Sequence, residues 1–196
     1  WWRRAYNYGD DAQLQLAKVD SDRRMSFWRN LLQPISPNLR LVFVSRRFAD
    51  DVMEDLGFSL PQSHYRIIHN PINTRMFSYR EKPQEQRRKI LSIRPYVSRT
   101  YANDLSVKAI QQLATKPWFH ELEFLMVGDG PLFDETLAPL RQYPNVKIEK
   151  RYLKQSDIAD LHKHYGVFLC PSRMDTQGVS RDEAMASGLV PITNQV

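Results

Sequence analysis

The chain has 196 residues, of which 42% are hydrophobic and 26% charged, a composition that supports a folded core and excludes a disordered chain. Its 28 basic and 22 acidic residues give a formal net charge of +6, spread as a mixed surface, so charge alone selects no class of partner. The single cysteine, Cys170, excludes an internal disulfide and favours a reducing compartment. The sequence has neither an apolar run of about 18 residues nor a signal-peptide pattern, so we expect a cytoplasmic protein.

Residues 11–32 have a helix-compatible pattern, which the polar group Asp20-Ser21-Asp22 can interrupt. These three residues also spell an Asp-x-Asp pattern, which can hold a divalent metal and a diphosphate when it follows a strand. Because they lie among helix-like residues, we interpret them as a cap or a solvated break in the helix.

Short apolar runs alternate with helix-like segments from residue 39 onward. In the second half of the chain, from residue 89, this alternation predicts an α/β fold whose parallel sheet has helices on both faces. The predicted strands are 39–45, 64–71 with its closing turn, 89–94, 122–127, 146–149, 166–170 and 189–193. The predicted helices are 46–56, 103–113, 131–140, 156–165 and 179–187.

Capping residues set the expected helix ends. Gly57 ends the helix 46–56, Asn103 or Asp104 caps the next helix, and Ser156 caps a later one. The positions predicted to face the core are Leu105, Ala109 and Leu113 in one helix and Ile158, Leu161 and Tyr165 in another.

The polar stretch after the strand 166–170 carries the strongest functional pattern, because ligands bind at the carboxyl ends of strands in open parallel sheets. Gly178 supplies a tight turn, and the helix 179–187 would direct its free N–H groups at an anion. Asp175 and Glu183 flank that anion site, with Glu183 at a partly exposed helix start. Backbone N–H groups that bind phosphate, together with carboxylates that bind hydroxyl groups, suit a nucleotide sugar.

This stretch resembles the retaining GT-B glycosyltransferases of glycosyltransferase family four, the "group 1" class. Their pattern is Pro-Ser, an acidic turn with Gly, and an acid followed after seven residues by Glu-Ala-Met-Ala-x-Gly. The matching residues are Pro171-Ser172, Asp175, Gly178 and Glu183-Ala184-Met185-Ala186-Ser187-Gly188. The family usually has Glu where this chain has Asp175, whose side chain is one methylene shorter.

Arg94 and Arg99 lie where the strand 89–94 ends and its loop begins. Two guanidinium groups at a strand's carboxyl end can together neutralise a diphosphate. In the family that the chain resembles, an Arg and, five residues later, a Lys contact the donor diphosphate, so Arg94 matches and Arg99 replaces the Lys. The alternative is a pair of solvated loop arginines.

The segment Gly128-Asp129-Gly130-Pro131 has part of a dinucleotide-binding pattern, but Phe133 occupies the place of the third glycine. We interpret the segment as a tight strand-to-helix turn with Pro131 at the first helical position. The resembling family has Val-Gly-x-Gly-Pro here, near the donor.

Arg151 and Tyr152 follow the strand 146–149, in the place of the family's base-binding stretch.

His162 and His164 could suggest a metal site. Side chains two residues apart on a helix diverge by roughly 200°, so the two rings cannot share one ion, and we interpret both as surface histidines.

The resemblance implies the end of an acceptor-side domain in residues 1–72 and a donor-binding domain in residues 73–196. It implies transfer of a sugar from a nucleotide-diphosphate sugar to an acceptor hydroxyl with retention of configuration, with no cofactor and no obligatory metal. The implied catalytic residues are Asp175, Glu183, Arg94 and Arg99. The implied donor-binding residues are Arg94, Arg99, Gly128, Gly130, Arg151, Tyr152, Gln177, Gly178, Val179, Ser180 and Glu183.

The implied setting is cell-surface polysaccharide or glycolipid synthesis, with a glycan or lipid-linked acceptor and peripheral association with the inner membrane face. Two other classes stay open. One is a non-catalytic nucleotide-sugar-binding subunit, which Asp175 in place of Glu would fit. The other is a basic nucleic-acid-binding module, which the acidic residues of the expected cleft disfavour.

Overall fold

The computed structural model of the chain describes the backbone of residues 11–194 and the side chains of residues 19–194. The described residues form two compact units. One runs through Pro71 and includes Asp175–Gln177, and the other comprises Ile72–Met174 and the residues from Gly178 onward. The first ten residues of the predicted acceptor-side domain lie outside the described residues.

Among the described residues, the first unit contains two α-helices and two parallel strands. Helices α1 and α2 span Asp11–Leu32 and Arg46–Leu56, and strands β1 and β2 span Leu41–Phe43 and Tyr65–Ile67. α2 begins where the Ser45 hydroxyl accepts a hydrogen bond from the Phe48 amide, and it ends at Gly57, whose φ is 81°. A left-handed residue closing the helix favours glycine, so the predicted end at Gly57 is confirmed.

The expected break in the first helix is wrong. α1 continues through Asp20-Ser21-Asp22, and the Asp20 carboxylate lies 2.5 Å from the Arg24 guanidinium one turn later. An ion pair with this spacing supports a helix, so the acidic group here is part of a helical surface.

The second unit contains a five-stranded parallel sheet in the order β5-β4-β3-β6-β7. Its strands are β3 (Lys89–Ile93), β4 (Glu123–Gly128), β5 (Val146–Lys150), β6 (Val167–Leu169) and β7 (Val190–Ile192). Its helices are α3 (Asn103–Leu113), α4 (Phe133–Leu137), α5 (Gln155–His162) and α6 (Val179–Ala186).

Helices cover both faces of this sheet. Ile110 of α3 and Leu137 of α4 pack with Met126 in one buried cluster. Ala184 of α6 packs with Leu125 and Phe168 in a second cluster on the opposite face. The expected α/β fold with a doubly covered parallel sheet is confirmed.

Two predicted helix starts differ from the structure. α3 is preceded by Ala102, whose φ is 52°, and Asn103 is buried in the first turn, where its amide donates to the Pro95 carbonyl at 2.9 Å. Ser156 lies inside α5, and the Asp157 carboxylate accepts a hydrogen bond from the Lys154 amide at 3.1 Å instead. A contact with the neighbouring loop therefore replaces the local cap at α3, whereas another local hydrogen bond replaces it at α5.

The predicted core face of α3 is only partly correct, because Leu113 packs against the buried cluster and Ala109 does not. Its buried positions are Asn103, Ser106, Val107 and Ile110. Ala109 is exposed because the helix presents its Val107 and Ile110 stripe to the sheet. The helix predicted for 131–140 is shorter as well, since Pro131 lies in the preceding turn and a 3₁₀ turn covers Ala138–Leu140.

Candidate functional site

The candidate site lies at the carboxyl edge of the second unit's sheet, where β3 and β6 end side by side. These strands are parallel neighbours, with Ile90 opposite Val167 and Leu91 opposite Phe168. The loops that follow them therefore meet at one edge of the sheet. This is the edge at which open parallel sheets bind ligands.

Arg94, the first residue after β3, is buried although its side chain is cationic. Only 6% of its surface is exposed, and its guanidinium donates to the Ser180 hydroxyl at 3.2 Å and to the Pro171 carbonyl at 3.3 Å. The Tyr101 ring lies 5.2 Å from the guanidinium carbon, a cation–π distance. Nε is buried and has no hydrogen-bond partner among the described residues. A buried cation that meets no carboxylate among the residues the structure describes is suited to an anionic ligand.

Helix α6 brings its first turn to the same place. Gly178 has φ 76°, a left-handed conformation that suits glycine, and the helix starts at Val179. The first N–H groups of a helix have no partner within it and carry a partial positive charge. Because Ser180 and Glu183 are three residues apart, they share one face of the helix, and Ser180 contacts Arg94.

Glu183 is buried, with 8% of its surface exposed, so the expected partly exposed helix start is wrong. Burial raises the pKa of its carboxyl group, and the negative charge of Asp182 raises that pKa further. The hydrogen bond it accepts within the described residues is a long one of 3.4 Å from the Gln155 amide. A carboxylate with so little compensation can accept hydroxyl groups of a ligand.

Arg99 differs from Arg94 because its side chain is exposed. It begins a 3₁₀ turn, Arg99–Tyr101, that Ser98 caps by accepting a hydrogen bond from the Thr100 amide. The structure therefore places one buried and one exposed guanidinium on the loop after β3. Contact of either with a diphosphate stays a prediction.

Gly128 and Gly130 have a structural role. A Cβ on Gly128 would lie 2.0 Å from the Arg94 carbonyl oxygen, and one on Gly130 would lie 2.4 Å from the Tyr96 carbonyl carbon. The two glycines thus allow the loop after β4 to pack directly on the loop that carries Arg94. Their contact with a nucleotide stays a prediction.

Arg151 and Tyr152 follow β5 at the same edge of the sheet. The Arg151 amide donates to the Gly128 carbonyl at 3.0 Å, and its guanidinium pairs with Glu149 at 2.8 Å. Tyr152 is 86% exposed, an unusual fraction for an aromatic ring. An exposed ring at this edge is available to a planar ligand.

Asp175 and Gln177 group with the first unit. Asp175 accepts a hydrogen bond from the Gln177 amide at 3.1 Å. The Gln177 side chain pairs with the Asn70 backbone, accepting from its amide at 2.6 Å and donating to its carbonyl at 2.9 Å. The roles of Asp175 and Gln177 toward a donor stay predictions.

Comparison with known families gives the assignment. The profile described as "Glycosyl transferases group 1" matches residues 87–196, which is more than half of the chain and includes the whole site in the second unit. The chain belongs to the group 1 glycosyl transferases.

Solved structures show that this group 1 glycosyl transferase has the GT-B fold. It is similar to TarM from S. aureus, crystallised with UDP, with a TM-score of 0.62 and 16% identity. It is also similar to Starch Synthase IV from Arabidopsis thaliana, bound to ADP and acarbose, with a TM-score of 0.59 and 15% identity. A third similar structure is WaaG, involved in lipopolysaccharide biosynthesis, with a TM-score of 0.59 and 17% identity. In each case 79% of the chain is covered, against 29%, 39% and 44% of the respective neighbour, so the chain spans less than half their length. A search of the curated proteins gave no match.

His162 of this group 1 glycosyl transferase is not a surface residue. It is 1% exposed, lies between the rings of Phe77 and Phe168, and its Nδ1 is 3.1 Å from the Ser187 hydroxyl. Burial lowers its pKa to about 4, with a smaller contribution from the charge of Lys82. The imidazole is therefore neutral near pH 7 and part of the packing beneath α6.

Several contacts at the site were missed by sequence reasoning. Tyr101 stacks on Arg94, Gln155 reaches Glu183, and Arg173 pairs with Asp104. Gln155 could have been suspected, because it opens a helix at the sheet's carboxyl edge. The partner of Arg173 could not, since it lies on an element far away in the sequence.

The described residues contain neither a candidate metal cluster nor a candidate membrane-spanning helix. No group of three or more His, Cys, Asp or Glu side chains could hold a metal ion there. None of the helices within residues 11–194 is long and apolar enough to cross a bilayer.

Proposed function

We propose that this chain binds the donor of a glycosyltransferase that moves a sugar from a nucleotide diphosphate to an acceptor hydroxyl with retention of configuration. The observation that carries the proposal is the pairing of Arg94 with Ser180 in the first turn of α6, one turn before the buried Glu183. A cation and free helix N–H groups suit a diphosphate, and the carboxylate suits the adjoining hydroxyls. Family membership and the GT-B fold support the same chemistry.

In the proposed reaction, the bond between the anomeric carbon and the diphosphate oxygen breaks while the acceptor oxygen bonds to that carbon on the same face. Arg94, Arg99 and the N-terminus of α6 stabilise the negative charge that grows on the leaving diphosphate. Glu183 holds the ribose hydroxyls, and Asp175 holds hydroxyls of the donor sugar. The departing phosphate oxygen takes the acceptor's proton, with no protein nucleophile, cofactor or obligatory metal.

The proposed setting is synthesis of a cell-surface polysaccharide or glycolipid in the cytoplasm, with a glycan or lipid-linked acceptor at the inner membrane face. The participation of one structural neighbour, WaaG, in lipopolysaccharide biosynthesis supports this setting. Nucleic acid is not a proposed partner, because the site combines its guanidinium groups with the buried carboxylate of Glu183 and is not the clustered basic surface that a nucleic acid needs.

A non-catalytic nucleotide-sugar-binding subunit is the second candidate, and Asp175 is the observation that favours it. Its side chain is one methylene shorter than the family's usual Glu, so we expect weaker hydrogen bonds to the hydroxyls of the sugar. Sugar transfer assayed with the full-length protein and radiolabelled donors separates the two, because a binding subunit turns over none of them.

We expect the 196-residue chain to bind a nucleoside diphosphate without transferring sugar. The groups proposed for the diphosphate and the ribose, those of Arg94, Arg99 and Glu183, lie in the second unit. Transfer also requires an acceptor hydroxyl aligned with the anomeric carbon. A ligand at about ten times its Kd adds about 1.4 kcal/mol to the free energy of unfolding. For a chain of this size that raises Tm by roughly 3–6 °C.

Thermal melts with UDP, ADP and GDP, each beside its nucleoside, measure this effect. A rise in Tm with a diphosphate and none with its nucleoside supports the donor site. Absence of a shift at millimolar concentrations of all three would refute it, and efficient transfer by this chain would show that the acceptor site had been misplaced.

A further inference from the structure

Arg173 joins the two loops that form the proposed diphosphate site, and no role has yet been assigned to it. Its guanidinium makes two bonds of 2.7 Å to the Asp104 carboxylate, one to each oxygen. The same guanidinium donates to the Arg99 carbonyl at 2.8 Å. A planar fork is the group that can serve a carboxylate and a carbonyl together.

The backbone of the two loops is tied at the same point. The Arg173 amide donates to the Thr100 carbonyl at 2.9 Å. Two consecutive carbonyls of the 3₁₀ turn, those of Arg99 and Thr100, are therefore held by one residue of the loop after β6. Asp104 lies in the first turn of α3, directly after that turn, so the turn is fixed from both ends.

The energetics favour a positioning role. The Arg173 side chain is 23% exposed and that of Asp104 40% exposed, so the pair is partly shielded from water. The hydrogen bond from Arg173 lowers the pKa of Asp104, because this bond favours the ionised carboxylate. Ion pairs with good two-point geometry hold a loop more firmly than ordinary surface pairs.

The 3₁₀ turn needs such support. Ala102, which follows it, has a φ of 52°, a left-handed conformation that is unfavourable for a residue with a Cβ. Arg99 itself is exposed, so its own side chain contributes little packing to keep the turn in place. The hydrogen bonds from Arg173 to the Arg99 and Thr100 carbonyls compensate for the unfavourable Ala102 backbone and for the small amount of packing by Arg99.

We infer that Arg173, paired with Asp104, is a positioning residue that holds the Arg99 turn beside Arg94 so that both guanidiniums meet the same diphosphate. The inference rests on the proposed function, because it assigns a ligand to Arg99. Arg173 acts through Arg99 and is not itself a phosphate ligand.

The first test is amide hydrogen exchange of the unliganded chain. Arg173→Ala is expected to speed exchange across residues 98–102 by about tenfold while leaving the sheet strands unchanged. Arg141→Ala is the matched control, because Arg141 also pairs with a carboxylate, that of Asp134 at 2.9 Å, but outside the site. Unchanged exchange at residues 98–102 overturns the inference whatever the chain binds.

The second test is calorimetry with UDP, ADP and GDP. Arg173→Ala is expected to weaken binding of the preferred diphosphate by about tenfold, within the usual range for coupled residues, and Arg173→Lys by less. The double variant Arg99→Ala with Arg173→Ala should bind no more weakly than Arg99→Ala alone. Additive losses would show that Arg173 does not act through Arg99.

The two failures are distinguishable. If the parent chain binds none of the three nucleotides, the proposed function fails, and the exchange data still decide whether Arg173 holds the turn. If the parent binds and Arg173→Ala binds equally well, the positioning role fails while the proposed function stands.

Discussion

Glu183→Gln is expected to weaken nucleoside-diphosphate binding by about ten- to hundredfold without lowering the stability of the fold. In the proposed site the lost interaction is a charge-assisted hydrogen bond from Glu183 to ribose, which is worth about 1.5–3 kcal/mol. The parent carboxylate is buried and receives one hydrogen bond from the described residues, at 3.4 Å from Gln155. The uncharged amide avoids the cost of burying that charge, so the free energy of unfolding should stay equal or rise.

Calorimetry and urea unfolding of the same samples measure both effects. Glu135→Gln serves as the control, because Glu135 is an exposed glutamate on α4 and should change neither quantity. A structural glutamate would show the opposite pattern, with stability lost and affinity kept. Unchanged affinity in Glu183→Gln would remove this residue from the proposed donor site.

The second large effect is a loss of stability in mild acid that arises from His162. Its pKa is lowered from 6.5 to about 4 in the folded chain, mainly by burial. Below pH 6.5 the imidazole binds a proton in the unfolded chain but stays neutral in the folded chain. The contribution of the neutral His162 to the free energy of unfolding is therefore complete above pH 6.5. It is lost progressively between pH 6.5 and about 4. The total loss in the free energy of unfolding is about 3 kcal/mol, since one pKa unit corresponds to about 1.4 kcal/mol.

The neutral state has a defined structural basis. The Ser187 hydroxyl donates to the Glu183 carbonyl at 3.0 Å and lies 3.1 Å from Nδ1 of His162. Both bonds form together when the imidazole carries its proton on Nδ1. A second proton would place a charge between the Phe77 and Phe168 rings, near the Lys82 ammonium.

Urea unfolding between pH 7 and 4 tests this in matched variants. His162→Asn keeps a donor near the Nδ1 position but does not titrate, so its stability should fall less steeply with acid than that of the parent. His164→Asn, at an exposed position two residues later, should follow the parent curve. Parallel curves for all three proteins would contradict the assignment to His162.

The sequence alone was enough to predict the sheet and most of the candidate residues. Short apolar runs between glycines and polar turns identify buried parallel strands, because such strands lie between two layers of helices. Gly57 and Gly178 mark helix boundaries because each adopts a left-handed backbone, at φ 81° and 76°. Arg94 could be selected because it follows a strand end, where ligands bind, and Glu183 because its motif resembles that of the group 1 glycosyltransferases.

The tertiary structure decided which residues meet. Arg173 and Asp104 are 69 positions apart, and they pair because β3 and β6 are neighbours in the order β5-β4-β3-β6-β7. Periodicity reports which face of an element is buried, but it does not report strand order. The burial of His162 and Glu183 and the grouping of Asp175 with the first unit have the same origin, because each depends on contacts between segments that are distant in the sequence.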